Sequence, residues 1–219
     1  MTVTLQRPAA LGQQIAAILR HRIIRGDLTN GTRLTEEGLA DEFSVSRGSV
    51  RDALNQLHSE SLIEIHKPRG IYVTGLTDED VTELYTLRGA LEQLAMKRAM
   101  NVADDDRWEE CRTAVGRMLA AAEEDDHARF LEADLDFHDQ IYRLADHQRL
   151  ERTWHQYRPT FTALLEVTIN HDKDLHDAAA DHEVLFAAMR SSDLAKATQI
   201  LDAHIEGAYS RMMIELADR

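Results

Sequence analysis

Residues 33–51 read RLTEEGLADEFSVSRGSVR, two short helices joined by a tight connection. Leu39, Ala40 and Phe43 supply the inner face of the first helix. Thr35 stands where an N-cap belongs, and Glu36 and Glu37 fall in the first turn, where the helix dipole favours acids. After Ser44 and Val45, the spacing predicts a helix over about 46–60, because Val50, Ala53, Leu54 and Leu57 repeat at i, i+3, i+4 and i+7. Arg47 and Arg51 are four residues apart, about 1.1 turns, so they share the face opposite that apolar stripe.

Upstream, residues 9–26 place Leu11, Ile15, Ile18, Leu19 and Ile23 at helical spacing, and Gly26 suits the helix end. Asn30-Gly31 signals a turn. Downstream, Leu62–Ile65 and Ile71–Thr74 are short β-branched runs around HKPRG, whose Pro68 and Gly70 favour a hairpin turn. Three helices followed by a hairpin describe a winged helix-turn-helix over residues 1–75. A helix of this kind fits the major groove, where arginine bonds guanine or holds flanking phosphates. Ser46 and Ser49 lie at the helix start, where backbone N–H groups point at phosphate. Lys67 and Arg69 lie at the wing tip, Gly70 lets backbone approach a groove, and Arg33 completes the set expected to face DNA. Two arginines four apart would by themselves describe a solvated helix face; the basic wing beside them points to nucleic acid.

These residues also carry a resemblance. The marks G-x-R-L, L-A-x-x-F-x-V-S-R, V-R-x-A-L and L-I-x-I with R-G run through residues 9–75. They resemble the winged-helix domain of the GntR family of bacterial transcriptional regulators. The resemblance implies that Arg47, Arg51 and Gly70 approach DNA. Gly48-Ser49 departs from the Thr-Pro of many relatives, so base preference beside Arg47 does not transfer.

The net charge of -14 is unevenly divided. Residues 1–75 hold nine Lys/Arg and eight Asp/Glu, a net of +1, whereas residues 76–219 hold sixteen and thirty-one, a net of -15. Phosphates repel the second part and not the first, which argues for two domains with different partners. An apolar fraction of 43% is enough to build cores. No apolar run approaches the ~18 residues of a membrane span. The opening MTVTLQRPAA lacks the pattern of a secretory signal, and Cys111 is the one cysteine, so no internal disulfide and a cytoplasmic setting are expected.

Residues 76–219 read as helices at about 77–101, 104–124, 127–146, 149–170, 175–191 and 193–217, an all-α antiparallel bundle in which Pro159 is the one proline. The fold class is therefore mainly α. Eight of the eleven histidines fall after residue 100. His127, His147, His155, His171 and His176 each suit a surface or locally hydrogen-bonded place. Asp134 and His138 share one helical face. His182 and His204 each sit beside apolar residues, Leu185 and Ala188 for the first, Leu201 and Ile205 for the second. Imidazoles directed between helices need a partner, either ordinary core hydrogen bonds or a shared divalent ion.

This half resembles the all-helical FCD ligand-binding domain of the FadR subfamily of GntR regulators. The matching marks are D-x-x-F-H at Asp134, Phe137 and His138, H-x-x-L-x-x-A-M from His182, and the H-I pair at His204. The resemblance implies a divalent metal on Asp134, His138, His182 and His204, with Arg88 near the carboxylate of an effector. His147 stands where relatives often carry Asn, and is expected either to meet the effector or to cap a helix. Three imidazoles and a carboxylate suit Zn²⁺, Ni²⁺, Mn²⁺ or Fe²⁺, with zinc or nickel favoured. The expectation is a homodimeric DNA-binding repressor, not an enzyme, that reads a pseudo-palindromic double-stranded operator under control of a small carboxylate, with no membrane partner. A regulator answering directly to metal is the alternative. A metal-dependent enzyme is a more distant one, because no motif supplies a general base beside the cluster.

Overall fold

A computed structural model describes residues 9–66, 68–102, 106–171, 174–191 and 193–217. The chain forms two compact units, 1–77 and 78–219. Among the described residues no helix is long and apolar enough to cross a membrane.

The first unit holds α1 (Ala9–Ile24), β1 (Arg33–Leu34), α2 (Glu36–Phe43), α3 (Arg47–Ser59), β2 (Ile63–His66) and β3 (Gly70–Val73). Local capping explains why the two helices of the opening stretch stop and start where they do. Thr35 Oγ1 accepts from Gly38 N at 3.1 Å, Ser44 closes α2 in the left-handed region, and Ser46 Oγ accepts from Ser49 N at 3.1 Å. The core joins Ile15, Leu19 and Ile23 to Val50, Leu54, Leu57 and Ile63. Inside it, Arg20 and Glu60 form a two-pronged ion pair, both contacts 2.6 Å, with each side chain almost fully buried.

Two expectations change here. The hairpin is part of a three-stranded antiparallel sheet in the order β1-β3-β2, with Arg33 opposite Tyr72 and His66 opposite Gly70. Leu11 and Ile18 do not join the core; they are 45% and 43% exposed, while Ala16 and Ile24 are buried. Gly12 gives the reason: a Cβ there would lie 3.1 Å from Asp52 Cβ and 3.3 Å from Ser49 O. The line of closest approach to α3 therefore runs through Gly12, Ala16 and Leu19, rotated away from Leu11 and Ile18.

The second unit is a bundle of α4 (Asp78–Val102), α5 (Glu109–Glu123), α6 (His127–Leu144), α7 (Gln148–His171), α8 (Leu175–Arg190) and α9 (Leu194–Ala217). A tight 3₁₀ turn, Asp106–Trp108, precedes α5 in place of the helical start expected near residue 104, and Trp108 enters the core from it. Pro159 lies inside α7, which continues through it. Trp154 stacks between Tyr142 and Phe161, with centroids 4.7 and 5.8 Å away, and its Nε1–H donates to Asp139 at 2.6 Å. This aromatic column builds one wall of the bundle interior. Helices α4, α6, α8 and α9 supply the polar groups described next.

Candidate functional site

In the first unit Arg47 and Arg51 project from the exposed face of α3, away from the stripe that packs the core. Both are held by acids of α2. Arg47 Nη2 lies 2.6 Å from Glu37 Oε1, and Arg51 reaches Glu36 with Nε and Nη2 at 3.0 and 2.8 Å. The hydrogen bond and charge of Arg51 outweigh slight burial to pull the Glu36 carboxyl below its ordinary value. Glu36 and Glu37 thus serve both the α2 dipole and the arginines.

Arg33 is exposed on β1, and its guanidinium lies over Gly70, where a Cβ would come within 3.2 Å of Arg33 Nε. Gly70 has φ +124°, a conformation side-chain-bearing residues rarely take. Arg69 is exposed at the turn, and its carbonyl accepts from the Tyr72 hydroxyl at 3.0 Å. Lys67 lies outside the described residues. Ser46 is exposed at the α3 start, with its hydroxyl engaged in capping. Ser49 corrects an expectation: it is buried against α1, its hydroxyl 3.0 Å from that of Ser46, and does not face outward. Its position in the first turn suggested access, but the turn presents it on the Gly12 side.

In the second unit the bundle brings Asp134 and His138 of α6, His182 of α8 and His204 of α9 together. The three rings lie with centroids 5.7, 5.5 and 4.6 Å apart, and one nitrogen from each falls within 4.8 Å of the others. His182 Nδ1–H donates to the Ala178 carbonyl at 2.7 Å, which turns the other ring nitrogen, Nε2, toward Asp134 Oδ2 at 3.1 Å. That contact is off-line for a hydrogen bond, and His182 Nε2 and Asp134 Oδ1 are buried without hydrogen-bond partners.

Burial alone would raise the Asp134 carboxyl and lower the His182 ring. Their mutual attraction outweighs it, holding Asp134 low and His182 high. His204 is pushed well below its ordinary value by burial and then by the neighbouring His182, His138 and Arg88. A neutral His204 keeps a lone pair for ligation.

Arg88 of α4 enters the same interior, 1% exposed. Its Nε donates to Glu92 Oε1 at 2.6 Å, its Nη2 donates to His138 Nε2 at 3.0 Å, and its Nη1 has no hydrogen-bond partner. Beside these groups is a cavity of about 20 Å³, lined by Arg88, Asp134, Thr168, His182, His204 and Arg211 among others. That space admits about one water-sized group. Of the two places expected for His147, the structure shows the cap and not the effector contact: it stands just before α7, where its Nδ1 accepts from Leu150 N at 3.3 Å, and it does not line the cavity.

Sequence reading missed Glu92, which is buried and lies between Arg88 and His138. The available signal was the four-residue interval from Arg88, but Arg–Glu pairs at that spacing usually lie on surfaces. Thr168 and Arg211 gave no local signal.

The three imidazoles could hold a metal ion, with Asp134 3.1 Å from His182, orphaned polar atoms among these groups and a backbone carbonyl orienting one ring. Two buried carboxylates, Asp134 and Glu92, face one buried guanidinium, so the interior has room for further positive charge.

Comparison with known proteins agrees with both halves. Residues 11–73 match the family described as bacterial regulatory proteins, gntR family, and residues 83–207 match the FCD domain. The chain is 29% identical over 209 residues to the gluconate operon transcriptional repressor of Bacillus subtilis, covering 93% of this chain and 86% of that one. It is 28% identical over 195 residues to a probable D-xylose utilization operon transcriptional repressor of Paenarthrobacter nicotinovorans, covering 89% and 85%. The solved structure of E. coli McbR/YncC shares the fold with a TM-score of 0.71 at 19% identity, covering 98% of this chain and all of that one. A winged reading unit and an FCD bundle in one chain make this protein a member of the GntR family, DNA-binding regulators of transcription and not enzymes.

Proposed function

We propose that the protein is a homodimeric, cytoplasmic repressor. Residues 1–75 bind a pseudo-palindromic operator, and residues 76–219 dimerise and bind a small carboxylate beside a divalent metal, as in the FadR subfamily. The observation that carries the ligand side is the His182–Asp134 arrangement: a ring whose Nδ1–H is fixed by Ala178, with Nε2 and Asp134 Oδ1 buried and left without hydrogen bonds. Asp134, His138, His182 and His204 would hold the cation, and zinc or nickel suits their chemistry. The cation, when bound, supplies an electropositive contact for a carboxylate oxygen. The unpartnered Nη1 of Arg88 offers a second, charge-assisted one. A repressor of a gluconate operon among the relatives supports this ligand class, since gluconate is itself a small hydroxylated carboxylate.

On the DNA side, Arg47 and Arg51 read or flank base edges, with Arg33, Arg69, Lys67 and Gly70 at the wing against the backbone. A nearly neutral head binds weakly alone, so two heads at the correct spacing provide the useful affinity. An effector then acts by binding the DNA-competent and DNA-incompetent arrangements differently. The test is elemental analysis of protein purified without chelator. About one divalent ion per chain is expected, lost in His138→Ala and in His204→Ala. Full retention in both variants would sink the metal reading, and a monomer by sedimentation would sink the dimer.

A further inference from the structure

We infer that Glu92 is the positioning residue of the bundle centre: its single carboxylate orients His138 toward the metal position and Arg88 toward the effector, coupling the two. The inference rests on the metal reading above and assigns a role outside the Asp/His ligand set.

The tautomer of His138 follows from its neighbours. A guanidinium only donates, so Arg88 Nη2, 3.0 Å from His138 Nε2, meets a lone pair there. The ring proton then belongs on Nδ1. Glu92 Oε2 lies 2.9 Å from that nitrogen, off-line for a hydrogen bond, and neither atom has another hydrogen-bond partner. Its other oxygen takes Arg88 Nε at 2.6 Å. Glu92 is 1% exposed and His138 is fully buried, so water does not substitute for either contact.

A carboxylate behind the non-ligating nitrogen fixes a metal-binding imidazole and raises its basicity, and losing one typically weakens metal binding tenfold to a hundredfold. Arg88 meets the same Nε2 lone pair that a cation would take. Arg88 and a cation therefore compete for one atom, while Glu92 holds both competitors' supports. With that lone pair taken by a cation, Arg88 Nη2 would be free to donate elsewhere, and a carboxylate ligand is the acceptor that would suit it. Coupling of this kind is reciprocal: whatever draws Arg88 away from His138 strengthens metal binding.

The experiment measures Zn²⁺ affinity of the full chain by chelator competition in Glu92→Gln, Arg88→Met, the double variant Arg88→Met/Glu92→Met, and His138→Ala. Glu92→Gln is expected to weaken binding about tenfold to a hundredfold. The double variant removes both buried charges together, so it keeps the fold accessible if Glu92→Gln is unstable, and it is expected to bind about tenfold to a hundredfold more weakly than Arg88→Met. Arg88→Met alone keeps or strengthens binding, because it removes the competitor.

A second readout is the His138 Nδ1–H proton of the Zn²⁺-loaded protein, assigned by its absence in His138→Ala. The Glu92 charge 2.9 Å from that nitrogen shifts the resonance, and the shift is lost in Glu92→Gln. Unchanged Zn²⁺ affinity and an unmoved Nδ1–H resonance in Glu92→Gln, while His138→Ala loses Zn²⁺, overturn the role of Glu92. Equal losses in Arg88→Met and the double variant also overturn it. Wild-type affinity in His138→Ala overturns the metal reading itself, a distinguishable failure.

Discussion

The protein uses arginine–glutamate pairs twice, in opposite surroundings. On the reading face, Arg47–Glu37 and Arg51–Glu36 are solvent-exposed and span two helices. In the bundle, Arg88–Glu92 is closed off from water within one helix, and His138 completes it. Water and salt screen the first kind, so such pairs contribute little to stability and are easily exchanged for phosphate. The second kind carries a desolvation cost that only its full set of contacts offsets, so removing one member leaves a stranded charge. On the function proposed, the arginines that exchange a carboxylate for phosphate stand in water, and the arginine that holds an orientation stands in the buried interior.

The sharpest way to break this comparison is a buried pair in the DNA-reading unit, Arg20–Glu60, which has the bundle's environment without its ligand chemistry. Glu60→Ala leaves Arg20 buried and uncompensated, and is expected to cost about 3–5 kcal/mol in denaturant unfolding followed on that unit. A loss below about 1 kcal/mol would place it with exposed pairs and remove burial as the deciding variable. Next in size is His182→Ala. It deletes the ring oriented by Ala178 and strips Asp134 of its closest partner, so metal affinity should fall by about a hundredfold or more, beyond the loss of an outer-shell group. Chelator competition measures it, and a loss under tenfold would make His182 a core residue.

How much of this was legible in the sequence follows the same divide between local and collective features. The helix boundaries of the opening stretch were readable because caps are local: Thr35 and Ser46 bond N–H groups three residues on. Strand β1 was not, since two residues carry no period. Leu11 and Ile18 share the helical spacing of the core residues yet lie outside the core, because that spacing defines a stripe about 100° wide without saying where the partner lies, and Gly12 sets that line.

In the bundle, Asp134 and His138 share a face by their spacing alone. His182 and His204 come from other helices, and resemblance to a family, not periodicity, brought them into the set. Glu92 looked like any helical surface acid, because burial is a property of the packed bundle. His147 was drawn toward the cavity by its place after the D-x-x-F-H helix, whereas the start of α7 claims its ring as a cap.

The two smaller predictions concern the exposed pairs. Arg51→Ala removes a two-pronged donor from the reading face, and operator affinity measured by fluorescence anisotropy should fall roughly tenfold to a hundredfold. The melting curve should stay close to wild type, since the pair with Glu36 adds little. Unchanged operator binding in both Arg51→Ala and Arg47→Ala would move the reading face elsewhere.

Glu36 and Glu37 provide the smallest and most discriminating effect. As partners of the two arginines they compete with phosphate, so they suppress binding to arbitrary sequence more than binding to an operator, where base contacts add to the arginines' gain. The variant Glu36→Gln/Glu37→Gln should bind non-operator DNA about two- to fivefold more tightly at low salt, with the gain fading as salt screens the face. Operator binding should tighten less, so the ratio of specific to non-specific affinity drops. Equal tightening on both DNAs would mean the acids act only through net charge, and no tightening on either would mean that phosphate displaces them without resistance. A fall in the ratio would show that exposed pairs, though weak as supports of the fold, set the threshold a sequence must pass to be read.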